Sequence, residues 1–290
     1  MDTDALIEWM LERSVNLASE GEAPPLLGRA IHHAVFPGGA RVRPRLCVAV
    51  AAACGKAESL PLAAAAGAAI ELMHCASLVH DDLPAFDAAE LRRGNPSVHA
   101  AFGEPIAVLA GDALIVMAFE TLLREGAAEP AACLRLSRIL TETTGSPLGI
   151  VAGQAWESEA NINLSAYHQA KTAALFVAAT MSGAAAAGMD PAKWRALGIR
   201  LGEAYQIADD LRDVLLGEDA LGKPAGQDAA HSRPSAVDAF GLEGAFQIFS
   251  QAVDAAAAAV PDCSGAPFLK QIVAAQAARL VPKSLMQRVA

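Results

Sequence analysis

The apolar and polar positions divide the chain into segments compatible with helices, punctuated by prolines and glycines. Residues 3–20 predict a polar opening helix, ended by GEAPP at 21–25 because paired prolines cannot continue it. A second helix is expected at 26–35, followed by the turn FPGGA at 36–40 and a third helix with Pro44 in its first turn. The run 61–80 ends in HDDLP, where Pro84 blocks smooth continuation. A polar loop containing RRGNP extends to about 104, and residues 105–120 predict a buried helix interrupted by Asp112. Further helices are expected over 130–144, 147–160, 165–187, 191–216 and 235–258, with a short one near the end. Neither a linker nor an internal repeat divides the chain, so residues 1–290 are expected to form one domain.

Composition supports an all-α class: 53% of residues are hydrophobic and only 5% aromatic, with alanine carrying much of the apolar content. The net charge of -10 offers no basic stripe for nucleic acid, so an anionic ligand needs local cations or metal ions. The five cysteines are scattered and lack CxxC spacing, which argues against both a disulfide framework and a zinc site and fits a cytoplasmic protein. The acidic start does not resemble a signal peptide. The uncharged stretch 172–189 is near membrane-spanning length but rich in alanine, glycine, serine and threonine, so it is expected to be a buried helix and no transmembrane segment is expected.

Two acidic clusters carry the candidate chemistry. In the first, Asp81, Asp82 and Asp87 share a helix end and the turn beyond, followed at once by Arg92 and Arg93. Two carboxylates about 5 Å apart repel by roughly 3 kcal/mol at an effective dielectric near 20, a term that a bound dication reverses. Hard oxygen ligands suit magnesium, which shares its remaining positions with water and phosphate oxygens. The adjacent guanidinium groups match diphosphate oxygens. An isolated acidic pair would equally fit a surface turn, with the arginines as its ion-pair partners. In the second cluster Asp209 and Asp213, four apart, share a helix face, while Asp210 lies about 100° around. Lys223 follows on a glycine-rich stretch and Arg233 ten residues later. A buried acidic face satisfied by arginines is the alternative for this cluster alone. Together the two clusters imply one cavity whose opposite walls clamp a polyanion through metal ions.

Seven motifs occur in the order found in the trans-isoprenyl diphosphate synthases, which the chain resembles over roughly residues 30–235. They are GGARVRP at 38–44, HDDLPAFD at 80–87, LRRG at 91–94, GQ at 153–154, KT at 171–172, YQIADDLRD at 205–213 and GKPAGQD at 222–228. Within that family ELMHCASLVHDDLPAFD and GQAWES look like the geranylgeranyl diphosphate synthases of carotenoid and bacteriochlorophyll pathways in photosynthetic proteobacteria. The resemblance implies a helical bundle of the isoprenoid-synthase type around a central cavity, normally a homodimer. Asp81, Asp82 and Asp87 would hold two magnesium ions, and Asp209, with Asp210 or Asp213, a third; manganese is an alternative metal. Arg92, Lys171, Lys223 and Arg233 would hold an allylic diphosphate (dimethylallyl, geranyl or farnesyl), and Arg43, His74 and Arg93 isopentenyl diphosphate. Lys171, Thr172 and Gln206 would steady the carbocation formed when the allylic diphosphate departs.

Ala40 stands where the family carries a lysine, Ala88 and Ala89 replace frequent aspartates, Glu157 is the acid after GQ, and Arg233 replaces a loop lysine. In the family the side chains four and five residues before the first aspartate form the floor of the tail pocket, here Ser77 and Ala76, with Met73 as the next stop. Small residues there favour geranylgeranyl diphosphate over farnesyl diphosphate. The competing readings are a farnesyl diphosphate synthase, a terpene cyclase, against which Arg43 and Arg93 stand, and a non-catalytic subunit that modifies a partner synthase, which Ala40 favours.

Overall fold

Helices account for nearly all regular structure in the computed structural model, which describes residues 2–36, 38–215 and 235–281, except the side chains of residues 277 and 279. The elements are α1 (Thr3–Leu17), α2 (Pro25–Val35), α3 (Val42–Ala53), α4 (Leu60–Asp81), a two-residue hairpin of β1 (Leu91–Arg92) and β2 (Asn95–Pro96), α5 (Val98–Phe102), α6 (Glu104–Glu125) and α7 (Pro130–Thr144). They continue through α8 (Ile150–Ala155), α9 (Leu164–His168), α10 (Ala174–Ala186), α11 (Arg195–Leu215), α12 (Ala236–Ala258) and α13 (Ala266–Leu280). Lys223 and Arg233 lie outside the described residues.

Prolines in the first turns of α2, α4, α6 and α7 mark where these helices begin, since a first-turn N–H has no intrahelical partner to lose. α4 and α10 form the centre. α10 is buried along its whole length, as expected for 172–189, and α4 packs against α6, α3 and α10. Their alanine-rich faces let the backbones approach closely. One large hydrophobic core joins α1–α4, α6, α7 and α10, while a small separate cluster of Ala204, Ala208, Leu211, Ala245, Phe249 and Val281 sits between α11, α12 and the chain beyond α13.

Two further stretches, Ala57–Asp81 and Glu104–Glu125, are long and apolar enough to cross a membrane, a length not expected of them from sequence. The first is 83% buried within its apolar window, which accounts for its composition by packing, whereas the second is 44% buried. α6 leaves Leu109, Val116 and Leu123 exposed at seven-residue spacing, together with Val108.

Arg41, Arg43 and Arg45, close in sequence at the start of α3, take separate directions. Arg41, in the left-handed region at φ 47°, turns inward and is 4% exposed. Its guanidinium meets Glu8 and Glu71 at 2.9 Å each and donates to the Val35 carbonyl at 2.9 Å. Burial alone lowers its pKa, but the hydrogen bonds and charges of Glu8 and Glu71 outweigh that and leave it raised. Arg45 forms a two-pronged pair with Asp4 at 2.8 and 2.9 Å. Only Arg43 of the three reaches the central cavity. Because Arg41 and Glu71 are both buried, Glu71→Gln is expected to destabilise the protein by about 3 kcal/mol or more. A denaturant midpoint matching the wild type would contradict that structural role.

Candidate active site

At the end of α4 the chain doubles back through hydrogen bonds from Asp87 N to Asp81 O and from Ala89 N to Asp82 O, both 3.0 Å. This turn returns Asp87 over Asp81. Glu157, just past α8, completes the group: one carboxylate oxygen from each of Asp81, Asp87 and Glu157 lies within 4.8 Å of the others. Such crowding at a helix C-terminus is unfavourable without positive charge. Lys171 supplies some, with its ammonium 2.5 Å from Glu157 and 3.7 Å from Asp81. Tyr167 and Gln154 also donate to Glu157, at 2.7 and 3.0 Å. Asp81 Oδ1 is buried and receives no hydrogen bond. Burial pushes the Asp81 pKa up; Lys171 opposes the rise and Asp87 adds to it, so the carboxyl remains above its ordinary value. Three converging hard oxygens, beside a carboxylate with an unsatisfied oxygen, fit a magnesium ion.

Asp82 behaves differently from its neighbours. It is 2% exposed and faces Arg92, whose Nε donates to both oxygens at 3.0 and 3.2 Å. The expected metal trio of Asp81, Asp82 and Asp87 is therefore not the trio that converges. Glu157 takes the third place, and the acid following GQ was the signal for it. Arg93 and Gly94, at φ 55° and 78°, form the two-residue turn between β1 and β2, where right-handed strand twist favours left-handed residues. The Arg93 guanidinium lies over Gly39, so close that a Cβ there would sit 2.9 Å from Cζ.

Behind this mouth lies a cavity of about 530 Å³, lined by Arg43, His74, Asp81 and Lys171 near the charged end and by Met73, Ala76, Ile115, Ile150, Val151 and Leu175 along apolar walls. Ser77 also lines it, its hydroxyl held by the His74 carbonyl at 2.8 Å. All three residues expected at the tail-pocket floor thus face the cavity. Arg43 stacks at 5.0 Å from Phe176 and 5.9 Å from Tyr205, with Nε buried and without a hydrogen-bond partner. Burial, then the charges of Arg43, Arg93 and Arg92, push His74 well below the usual imidazole range, so it is neutral at pH 7 and can donate one N–H without adding charge.

The expected helix over 165–187 is broken by a π-helical turn at Gln169–Ala173 between α9 and α10. The wider turn holds Lys171 and Thr172, and two glycines make room for it. A Cβ on Gly153 would lie 2.4 Å from Lys171 N, and one on Gly202 would lie 2.4 Å from Ala173 Cα. These close approaches draw α8 and α11 onto the same segment. Lys171 reaches Asp81, while the adjacent Thr172 donates to Gln206 Oε1 of α11 at 2.7 Å, three residues before Asp209. Adjacent residues 171 and 172 thus touch Asp81 of the first motif and Gln206 of the second. On α11, Asp209 is 4.0 Å from Arg212, Asp213 has both carboxylate oxygens shielded from solvent, and Asp210 is turned into the protein.

A family model for polyprenyl synthetases matches residues 24–262, four-fifths of the chain. The chain belongs to the polyprenyl synthetase family. This polyprenyl synthetase is 52% identical over 283 residues to a geranylgeranyl diphosphate synthase of Cereibacter sphaeroides, covering 98% of both chains. It is 52% identical to that of Rhodobacter capsulatus, covering 94% of each. Among solved structures it is similar to a geranyltransferase of Helicobacter pylori complexed with magnesium and isoprenyl diphosphate, with a TM-score of 0.78, 28% identity and coverage of 94% and 96% of the two chains.

Proposed function

We propose that this polyprenyl synthetase joins isopentenyl diphosphate to an allylic diphosphate and makes geranylgeranyl diphosphate, acting as one domain in a cytoplasmic homodimer. The observation that carries the reading is the meeting of three carboxylates and Lys171 beside an apolar cavity whose lining includes Ala76, Ser77 and Met73. Charge for a diphosphate and space for a hydrocarbon tail are thereby continuous. Full-length similarity to geranylgeranyl diphosphate synthases supports the product assignment.

In this reading Asp81, Asp87 and Glu157 hold magnesium at one wall, and Asp209 with Asp213 holds it at the other, three ions in all, with manganese able to substitute. Magnesium held there would supply charge neutralisation for the departing diphosphate and so ease breaking of the allylic C–O bond. Asp82 orients Arg92 toward the allylic diphosphate, which Lys171 also contacts; Lys223 and Arg233 are assigned to it from the family pattern alone. Arg43, Arg93 and the N–H of His74 receive isopentenyl diphosphate. Lys171, Thr172 and Gln206 face the cationic carbon, and the apolar walls keep water from quenching it. The outward stripe of α6 supplies the dimer contact, since a self-complementary apolar face suits a twofold interface.

Mass-spectrometric product analysis with isopentenyl diphosphate and each allylic starter, with and without magnesium, tests the proposal. A twenty-carbon diphosphate formed only with the metal is expected, and no elongation of any starter would overturn it. Ala40 is exposed and follows Gly39, over which the Arg93 guanidinium lies, so a longer side chain has room there. Ala40→Lys is expected to lower KM for isopentenyl diphosphate by about 1.5- to fivefold, the effect of an exposed charge pair. An unchanged KM would mean that Arg43 and Arg93 already saturate the diphosphate's need for cations.

A further inference from the structure

Asp210, the middle acid of the second motif, is held by groups of the chain itself. It is 5% exposed, whereas the side chain of neighbouring Asp209 is 39% exposed. Its Oδ1 accepts a hydrogen bond from Gln206 Nε2 at 2.9 Å, and its Oδ2 accepts one from the backbone N–H of Ala236 at 2.8 Å. Ala236 opens α12, so this N–H is one of those that a helix leaves without an intrahelical partner. The other end of the Gln206 amide, Oε1, accepts the Thr172 hydroxyl at 2.7 Å.

An ionised carboxylate can only accept hydrogen bonds, which fixes the sense of every bond in this chain. Asp210 requires the Gln206 amide to turn its NH2 inward and its carbonyl oxygen toward Thr172. That oxygen in turn requires Thr172 to donate its proton to Gln206. The Thr172 hydroxyl is left to present lone pairs, not a proton, to whatever else it faces. A positively charged carbon is stabilised by lone pairs and repelled by the positive end of an O–H bond.

We propose that Asp210 is a positioning residue that sets the polarity of the Gln206–Thr172 pair toward the reacting cation and ties that setting to the first turn of α12. The proposal rests on the assignment of Thr172 and Gln206 to the cationic carbon. It departs from the expectation that Asp210 helps Asp209 to bind a metal ion.

Asp210→Asn introduces a donor where two donors already point, so one of the two hydrogen bonds is lost. It is expected to lower kcat by about 10- to 100-fold, the usual effect of losing such a support. The magnesium concentration for half-maximal activity should stay within about twofold, since no metal ligand is removed. Calorimetric affinity for a thiolo analogue of the allylic diphosphate, which does not ionise, should likewise hold in the presence of magnesium. If Asp210 acts through Gln206, the double variant Gln206→Leu/Asp210→Asn is no slower than Gln206→Leu alone.

Ala236→Pro provides a second route that leaves every carboxylate in place. Proline is tolerated at a first helical position, and Ser235, at φ -107° and ψ 155°, has the extended backbone that a following proline needs. The substitution deletes the donor to Oδ2, and kcat should fall by about fivefold or more with the magnesium requirement unmoved.

A tenfold rise in the magnesium requirement of Asp210→Asn, multiplicative losses in the double variant, or normal turnover in Ala236→Pro would each overturn the inference. Should Asp210→Asn fail to fold, as read by its circular dichroism, Ala236→Pro decides alone. Normal turnover in Thr172→Val would instead refute the assignment of Thr172, a separate failure.

Discussion

Asp81→Ala is expected to lower kcat on the order of 10³-fold while leaving the helical bundle intact, the loss seen when one preorganised electrostatic contact to a developing charge is removed. Asp81 is central to the acidic group: it contributes to the converging trio, carries a buried oxygen without a hydrogen bond, and lies 3.7 Å from Lys171. Its replacement would leave Asp87 and Glu157 without the third oxygen that the proposed metal site requires. Stability should not fall with activity, because burial disfavours this carboxylate in its charged form. Steady-state kinetics over a magnesium series together with a thermal melt tests both halves. Near-normal turnover would contradict the metal assignment, and a collapsed melt would mean that the carboxylate is structural. Asp82→Ala should behave otherwise, since Asp82 is spent on Arg92 and its loss would act through diphosphate binding.

Ala76→Phe changes the product more than the rate. Ala76 is 2% exposed on α4, with its methyl group on the wall of the 530 Å³ cavity below Asp81. At 1.5 Å per residue it sits about 7–8 Å down the helix from that carboxylate, within the reach of a growing tail. A phenyl ring there would fill part of the cavity proposed to receive the last five-carbon unit, and overpacking of this kind costs about 1–3 kcal/mol. Early condensations should proceed at similar rates and the last should fail, so farnesyl diphosphate becomes the main product. An unchanged product spectrum would move the floor deeper, toward Met73, Ile115 or Leu175.

The helices were largely legible because proline and glycine interrupt an otherwise apolar, alanine-rich chain at their ends. The π-helical turn was not, since an extra residue within a turn leaves no mark in periodicity; only the packing of Gly153 and Gly202 against it shows why it is there. Within the site, residue type was informative and partner choice was not. Arg41 and Arg43 are two residues apart, yet the left-handed backbone at Arg41 sends it to Glu8 and Glu71, while Arg43 faces the cavity. Asp81 and Asp82 are adjacent and diverge in the same way, one toward Glu157 and the other toward Arg92. Neighbours on a helix point about 100° apart, so a motif names the acids but not which of them converge.

The division of the interior into a large core and a small one has a consequence for heat resistance. Among the described residues the C-terminal half of α11, which carries Asp209, is backed by a small apolar cluster with α12 and Val281, whereas its N-terminal half and α4 belong to the main body. Regions with few buried contacts open at lower free energy than the whole. On warming, the wall bearing Asp209 should loosen first, so that turnover disappears several degrees before ellipticity does, and saturating ligand should narrow that gap.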